Sequence, residues 1–496
     1  MNLYEEYVRK MRRIADIEHA VAILHWDKEV NLPKGASYFR SQQIATLSSM
    51  AHEQFIDDST GILLDRLMSS SDLDADHKRN VELSLRDYHK AVMLPTSFVE
   101  RLSMAQSEAF TAWIVARDAN DFSAFAPAFE HLVFLKREEA DLRGYVNERY
   151  DALLDIYEPG LTVVEVDRLF DEARDRIIPL IRKIRAGTQA DTSFLHEHYP
   201  REMQWQFGLE VIRQLGYNFD WGRQDISTHP FTISFSPQDV RITTRIDEND
   251  FSNMLWSCIH ECGHALYEQG LPVHQYGLPL GSPASLAIHE SQSRLWENQV
   301  ARSKVFWHYQ LPRLKAVFPE NLTDISLDHF HAAINHIAPN LIRTEADELH
   351  YHLHVIIRYE IERELVNTDL SVNTLQDLWN QKYREYLQVD VPDDRKGILQ
   401  DVHWSHGSFG YFPTYSMGSF YAAQFYQKAE QDIPDLPHEI AEGRYTSLHA
   451  WLRENVYAHG RRWDPEDLCR SITGLPLGID HFITYVKHKY AILADG

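Results

Sequence analysis

The stretch Asp250-Phe251-Ser252-Asn253-Met254-Leu255-Trp256-Ser257-Cys258-Ile259-His260-Glu261-Cys262-Gly263-His264-Ala265-Leu266-Tyr267-Glu268-Gln269-Gly270 decides how this chain is read. Phe251, Met254, Leu255, Cys258, Ile259, Ala265 and Leu266 recur at helical spacing. Asp247, Asn249 and Asp250 offer N-cap positions, and Gly270 followed by Pro272 is a stop signal. The predicted helix carries H-E-x-x-H at 260–264. Residues four apart share a helix face, so both imidazoles can reach one metal ion. Glu261 follows the first histidine directly, beside the position where water binds such an ion. Cys262 points away from the histidine face and is expected to pack in the core.

A catalytic metal of this kind takes a third protein ligand and keeps one open position. Glu290, in His289-Glu290-Ser291-Gln292, is the candidate, with His289 as its rival. A second helix is expected to start near Ser282-Pro283, with serine as cap and proline in the first turn, and to run on through Leu295, Trp296 and Val300.

His260–Gly270 followed by His289-Glu290-Ser291-Gln292-Ser293-Arg294 resembles the carboxypeptidase Taq family of metallocarboxypeptidases. Further matching segments are Ile23-Leu24-His25-Trp26-Asp27, His229-Pro230-Phe231 and Asp239-Val240-Arg241-Ile242-Thr243-Thr244-Arg245. Ile342-Arg343-Thr344-Glu345-Ala346-Asp347 and Gly397-Ile398-Leu399-Gln400-Asp401-Val402-His403-Trp404 complete the series. The resemblance implies a mostly α fold with a long substrate groove, similar in outline to angiotensin-converting enzyme and neurolysin. It implies release of single residues from peptide C-termini with broad side-chain tolerance. It also implies His260, His264 and Glu290 as metal ligands, Glu261 as catalytic base and acid, and homodimers carrying zinc, or cobalt, one ion per subunit. A zinc endopeptidase or a dipeptide-releasing enzyme would share this site. A helical peptide-binding protein with a structural metal would have no need of Glu261.

The tetrahedral oxyanion of amide hydrolysis needs a protein donor. The segment Gly407–Tyr415 is the expected source, through Tyr411 and Tyr415, with His403 and His406 as neighbours. An exopeptidase must also hold a free carboxylate, which suits the planar fork of arginine. Arg343 is the choice, with Arg241 and Arg245 as rivals. A helix is predicted from about Pro339 to Asn367, with Arg343, Asp347, His350, His354 and Arg358 forming one polar stripe. That stripe reads as groove-lining, and Asp347 as an alternative acceptor for a metal-bound histidine.

Phe231–Phe235 and Val240–Arg245 alternate and are rich in β-branched and aromatic residues, so a hairpin turning at 236–239 should precede the H-E-x-x-H helix. It either braces the helices or offers an edge to an extended peptide. Ser69–Asp72 and Ala186–Gln189 read as loops within one large domain, 1–496, and the first hundred residues as helices forming a lid over the groove, with a register at Ile14, Ile17, Val21 and Leu24. The formal net charge is −24, which disfavours nucleic acid and anionic membranes as partners. Met1–Lys10 contains no apolar signal core, and no run is long enough to span a bilayer. Three cysteines suggest no disulfide framework, so a cytoplasmic setting is expected.

Overall fold

Asp250 begins the decisive helix. Its carboxylate accepts from the backbone N–H of Ser252 (3.0 Å), and the helix runs Phe251–Gly270. Met254, Leu255, Cys258, Ile259, Cys262, Ala265 and Leu266 are fully buried along it, as their spacing requires. The computed structural model describes residues 2–187 and 189–494, with side chains to residue 491. It is mostly helical, with one three-stranded sheet. Thr188, in the loop expected at 186–189, lies outside the described residues.

The chain divides into two units. The first comprises 1–91, 190–334 and 421–477. It opens with helices Leu3–Val30, Ser37–Ile56, Asp58–Met68 and Ala75–Val92. Tyr7, Met11 and Ile14 pack there with Leu63, Leu64, Leu67 and Val81, while Ile17 lies at the edge of that cluster. Strands β1 (Gln224–Ile226), β2 (Thr232–Ser236) and β3 (Asp239–Thr244) lie in the order β1-β3-β2. The expected hairpin is present: β2 pairs antiparallel with β3, with Thr232 opposite Ile242 and a bulge between Ser234 and Ser236. β1 adds in parallel on the other side of β3.

The second helix of the motif starts later than expected. The chain makes a tight 3-10 turn at Pro279–Gly281, and the helix runs Leu286–Arg294. Ser285, not Ser282, is its cap, accepting from the backbone N–H of Ile288 (3.1 Å). It then widens into a π-helical stretch, Leu295–Ala301.

The second unit comprises 92–189, 335–420 and 478–496. Its central helix is His350–Asn367, not Pro339–Asn367. Asp347 sets the start, because its carboxylate accepts from the backbone N–H groups of Leu349 (3.0 Å) and His350 (2.9 Å). Arg343 lies before it, in the single turn Arg343–Glu345. His350, His354 and Arg358 are buried, so the polar stripe is not a solvated face.

Gly263 fixes how closely the two motif helices approach. A Cβ there would lie 2.6 Å from both the carbonyl oxygen of Gln292 and the Cα of Ser293. Backbone on both sides leaves no flexible neighbour to yield. Gly263→Ala should therefore lower the unfolding free energy by roughly 1–3 kcal/mol. Urea unfolding of the metal-free protein measures this, and an unchanged midpoint would refute it.

Candidate metal centre

Three donor groups converge in the first unit. His260 and His264, one helical turn apart, and Glu290 from the next helix bring ligand atoms within 4.8 Å of one another. Glu290 Oε2 lies 3.6 Å from His260 Nε2 and 3.4 Å from His264 Nε2. The structure brings together the three side chains that the sequence singles out.

The far side of each group is already engaged, which aims the near side inward. His260 Nδ1 is 2.9 Å from Glu297 Oε2. His264 Nδ1 is 3.0 Å from the backbone carbonyl oxygen of His289. An acceptor at Nδ1 fixes the tautomer with its proton there and leaves the Nε2 lone pair free. Glu290 Oε1 accepts from Arg294 Nε (2.7 Å), which turns Oε2 towards the imidazoles. Two imidazole lone pairs and one carboxylate oxygen, all partly or fully buried, fit a divalent cation of the zinc type.

The electrostatics agree. Burial alone would raise the Glu290 carboxyl, but Arg294 and His260 hold it well below the usual range. Burial likewise opposes ionisation of Glu297, yet Arg294, His260 and Arg302 bring it down to about 2. Burial and the His289 ring push His264 down to about 3, so it stays neutral. Burial works against protonation of His260 as well, but the Glu290 and Glu297 carboxylates outweigh it and raise its pKa.

Glu261 is held from the sheet. Thr232 Oγ1 on β2 lies 2.6 Å from Glu261 Oε2 and 3.0 Å from its backbone carbonyl. The hairpin thus braces the helix at the residue beside the donors. Burial raises the Glu261 pKa. His289, the rival ligand, is not among the converging donors: its Nδ1 meets His264 and its Nε2 meets Glu268. Thr232, Glu297, Arg294 and Glu268 escaped the sequence reading. Spacing on the extended helix pattern was the only available signal for Glu297, and the π-helical stretch displaces that register.

The second unit gathers most of the other candidates around Asp401. Arg343 donates to Asp401 Oδ1 through Nε (3.1 Å) and Nη2 (2.8 Å), and Arg358 Nε donates to Oδ2 (2.6 Å). Arg343 lies over the Tyr415 ring, 5.0 Å from its centroid. His403 Nε2 is 3.1 Å from Tyr415 Oη, and the Tyr411 and Tyr415 rings are 5.2 Å apart. Burial and Arg343 push His403 down to about 3. His406 is not drawn in; it is exposed and packs on Phe110. The rival anchors are engaged elsewhere. Arg241 pairs with Asp239 and lies over Trp26, while Arg245 donates to Asn253. Asp347 pairs with His350, not with a histidine of the trio.

A mostly helical chain in which one H-E-x-x-H helix and one glutamate helix bring such donors together defines a metallopeptidase class. The family model described as carboxypeptidase Taq (M32) metallopeptidase matches residues 6–490. The chain is 41% identical over 496 residues to carboxypeptidase 1 of Bacillus subtilis, covering 99% of each. It is 39% identical to thermostable carboxypeptidase 1 of Thermus thermophilus, covering 99% of this chain and 98% of that one. The crystal structure of the M32 carboxypeptidase from Deinococcus radiodurans superposes with a TM-score of 0.98 at 39% identity over the whole of both chains. The chain belongs to the carboxypeptidase Taq (M32) family and is a metallocarboxypeptidase.

Glu362 supports the Gly410–Tyr415 segment from below. It accepts from Tyr150 Oη (2.7 Å), Trp404 Nε1 (2.8 Å) and the backbone N–H of Gly410 (3.0 Å). Gly410 sits at φ +88°, and a Cβ there would meet the Leu153 carbonyl oxygen at 2.5 Å, so only glycine fits. Burial pushes the Glu362 carboxyl up to about 7 despite its three donors. The native state therefore holds a proton that the unfolded chain releases in the ordinary carboxylate range. Stability from this group is complete below that range and is lost as pH rises towards about 7. The stability advantage of wild type over Glu362→Gln should shrink between about pH 5 and pH 8, by up to about 3 kcal/mol. Parallel urea denaturation curves at both pH values measure it; a constant difference would contradict the assignment.

Proposed function

We propose that the protein removes single residues from peptides with a free C-terminus at a zinc site held by His260, His264 and Glu290, with Glu261 as general base and acid. The observation that carries this reading is the placement of Glu261, fixed by Thr232 next to three converging donors. A structural metal would need no such base. Two nitrogens and an oxygen suit zinc, and cobalt as a substitute. A cation bound there acidifies water and polarises a carbonyl oxygen. Glu261 takes the water's proton as the scissile carbonyl is attacked and returns it to the departing amine nitrogen. Its raised pKa suits a group that must do both.

Recognition of the substrate carboxylate falls to Arg343. Two guanidinium groups, Arg343 and Arg358, share the single carboxylate of Asp401. That set keeps one positive charge, which a peptide C-terminus would neutralise. Tyr411 and Tyr415 serve as phenol donors to the developing oxyanion, with His403 orienting Tyr415. The rest of the reading is a homodimer in a reducing, cytoplasmic setting. Three free, buried cysteines support the compartment. Among the described residues, no helix is long and apolar enough to cross a membrane.

Glu261→Gln should keep its zinc and lose about 10²–10⁴-fold in kcat. A variant that retains both metal and full activity would overturn the mechanism. Mass spectrometry of a mixed peptide pool should show ladders shortened one residue at a time. Peptides amidated at the C-terminus should be resistant, and their equally fast cleavage would remove the carboxylate-recognition role.

A further inference from the structure

His264 has a second neighbour that the proposed chemistry does not use. Its Nδ1 lies 2.6 Å from Nδ1 of His289, closer than to the backbone carbonyl. The two ring planes differ by 28°, and the nitrogen edges meet. On the other side of the His289 ring, Nε2 is 2.9 Å from Glu268 Oε1. Glu268 stands one turn beyond His264 on the same helix. His289 precedes Glu290 on the next helix and so presents its ring to the back of His264 while Glu290 faces the front. The side chains of His289 and Glu268 are only 19% and 14% exposed, so solvent screens their interaction weakly.

Proton positions along this line are forced. A cation at His264 Nε2 requires the ring proton on Nδ1. That N–H lies between His289 Nδ1 (2.6 Å) and the His289 carbonyl oxygen (3.0 Å), and at 2.6 Å His289 Nδ1 must offer a lone pair, not a second proton. A neutral His289 with a bare Nδ1 carries its proton on Nε2, which faces the Glu268 carboxylate. Every donor meets an acceptor in this arrangement, and the opposite tautomer of His289 sets two N–H groups against each other.

We infer that Glu268 and His289 form a carboxylate–imidazole relay that fixes the His264 tautomer and strengthens His264 as a metal ligand. Both are positioning residues, acting through His264. The inference rests on the reading that His260, His264 and Glu290 hold a divalent cation. It extends that reading to a carboxylate that stands two hydrogen bonds behind the ligand. The backbone carbonyl of His289 remains as a second acceptor for His264, so loss of the relay weakens binding without abolishing it.

The test is Zn²⁺ affinity by chelator competition, with Co²⁺ absorption as a second readout, on the full chain. Glu268→Ala and His289→Phe should each bind Zn²⁺ about tenfold more weakly. Glu268→Gln keeps an acceptor oxygen for His289 and should fall between them and wild type. The double variant should be no weaker than His289→Phe alone, because Glu268 acts only through that ring. The Co²⁺ spectrum should shift in Glu268→Ala, and metal-free unfolding midpoints should stay near wild type. Wild-type affinity in Glu268→Ala, or multiplicative losses in the double variant, would overturn the relay. Failure of wild type to bind Zn²⁺ at all would instead sink the metal reading beneath it.

Discussion

The absence of one side chain governs the candidate centre. Gly263 lets the backbone at Gln292 and Ser293 come into direct contact with the H-E-x-x-H helix. That approach is what carries Glu290 to within 3.4–3.6 Å of the two imidazole nitrogens. Helices with side chains at their contact sit 8–10 Å apart at their axes. The same closeness places His289 behind His264 and Glu297, a little further on, behind His260. Ligand geometry here follows from helix packing, and packing from a single glycine inside the motif itself.

Charge balance in the buried pocket complements the geometry. Glu261, Glu290 and Glu297 supply carboxylates, and Arg294 and Arg302 supply guanidiniums that pair with Glu290 and Glu297. With Glu268 behind His289 as a fourth acid, the acids outnumber the two guanidiniums and the surroundings are formally negative. Arg294 has a particular part in this. It neutralises the outer oxygen of Glu290, while the inner one faces the imidazoles and also accepts from Ser293 Oγ (3.0 Å). In the second unit the balance has the opposite sign, with Arg343 and Arg358 against Asp401.

Much of this was legible in the sequence, and the failures have physical causes. The pentad and its helix follow from a 3.6-residue apolar period with an aspartate before it and a glycine after it. Strands β2 and β3 follow from alternation. The start of the Glu290 helix moved because Ser285 satisfies its first-turn donors, a choice among nearby serines that spacing does not settle. The start of His350–Asn367 moved for a related reason. Spacing places Asp347 in a helical stripe, yet its short carboxylate bonds to backbone N–H groups ahead of it and opens the helix there. Thr232 and Glu268 could not be singled out. A threonine on a strand and a glutamate on a helix have no spacing signal until the chain brings them to Glu261 and His289.

The two histidines of the pentad are alike in sequence and unlike in surroundings. His260 rests directly on a charged acceptor, Glu297, whose own ionisation is secured by Arg294 and Arg302. Its pKa is raised, as expected for an imidazole backed by carboxylates. His264 rests on a backbone carbonyl and the His289 ring, and burial together with that ring brings its pKa down to about 3. A strongly backed imidazole binds a cation tightly but also competes for a proton; a weakly backed one stays deprotonated but donates less. In the proposed relay, Glu268 with His289 interposed would return donor strength to His264 without placing another full negative charge against its ring.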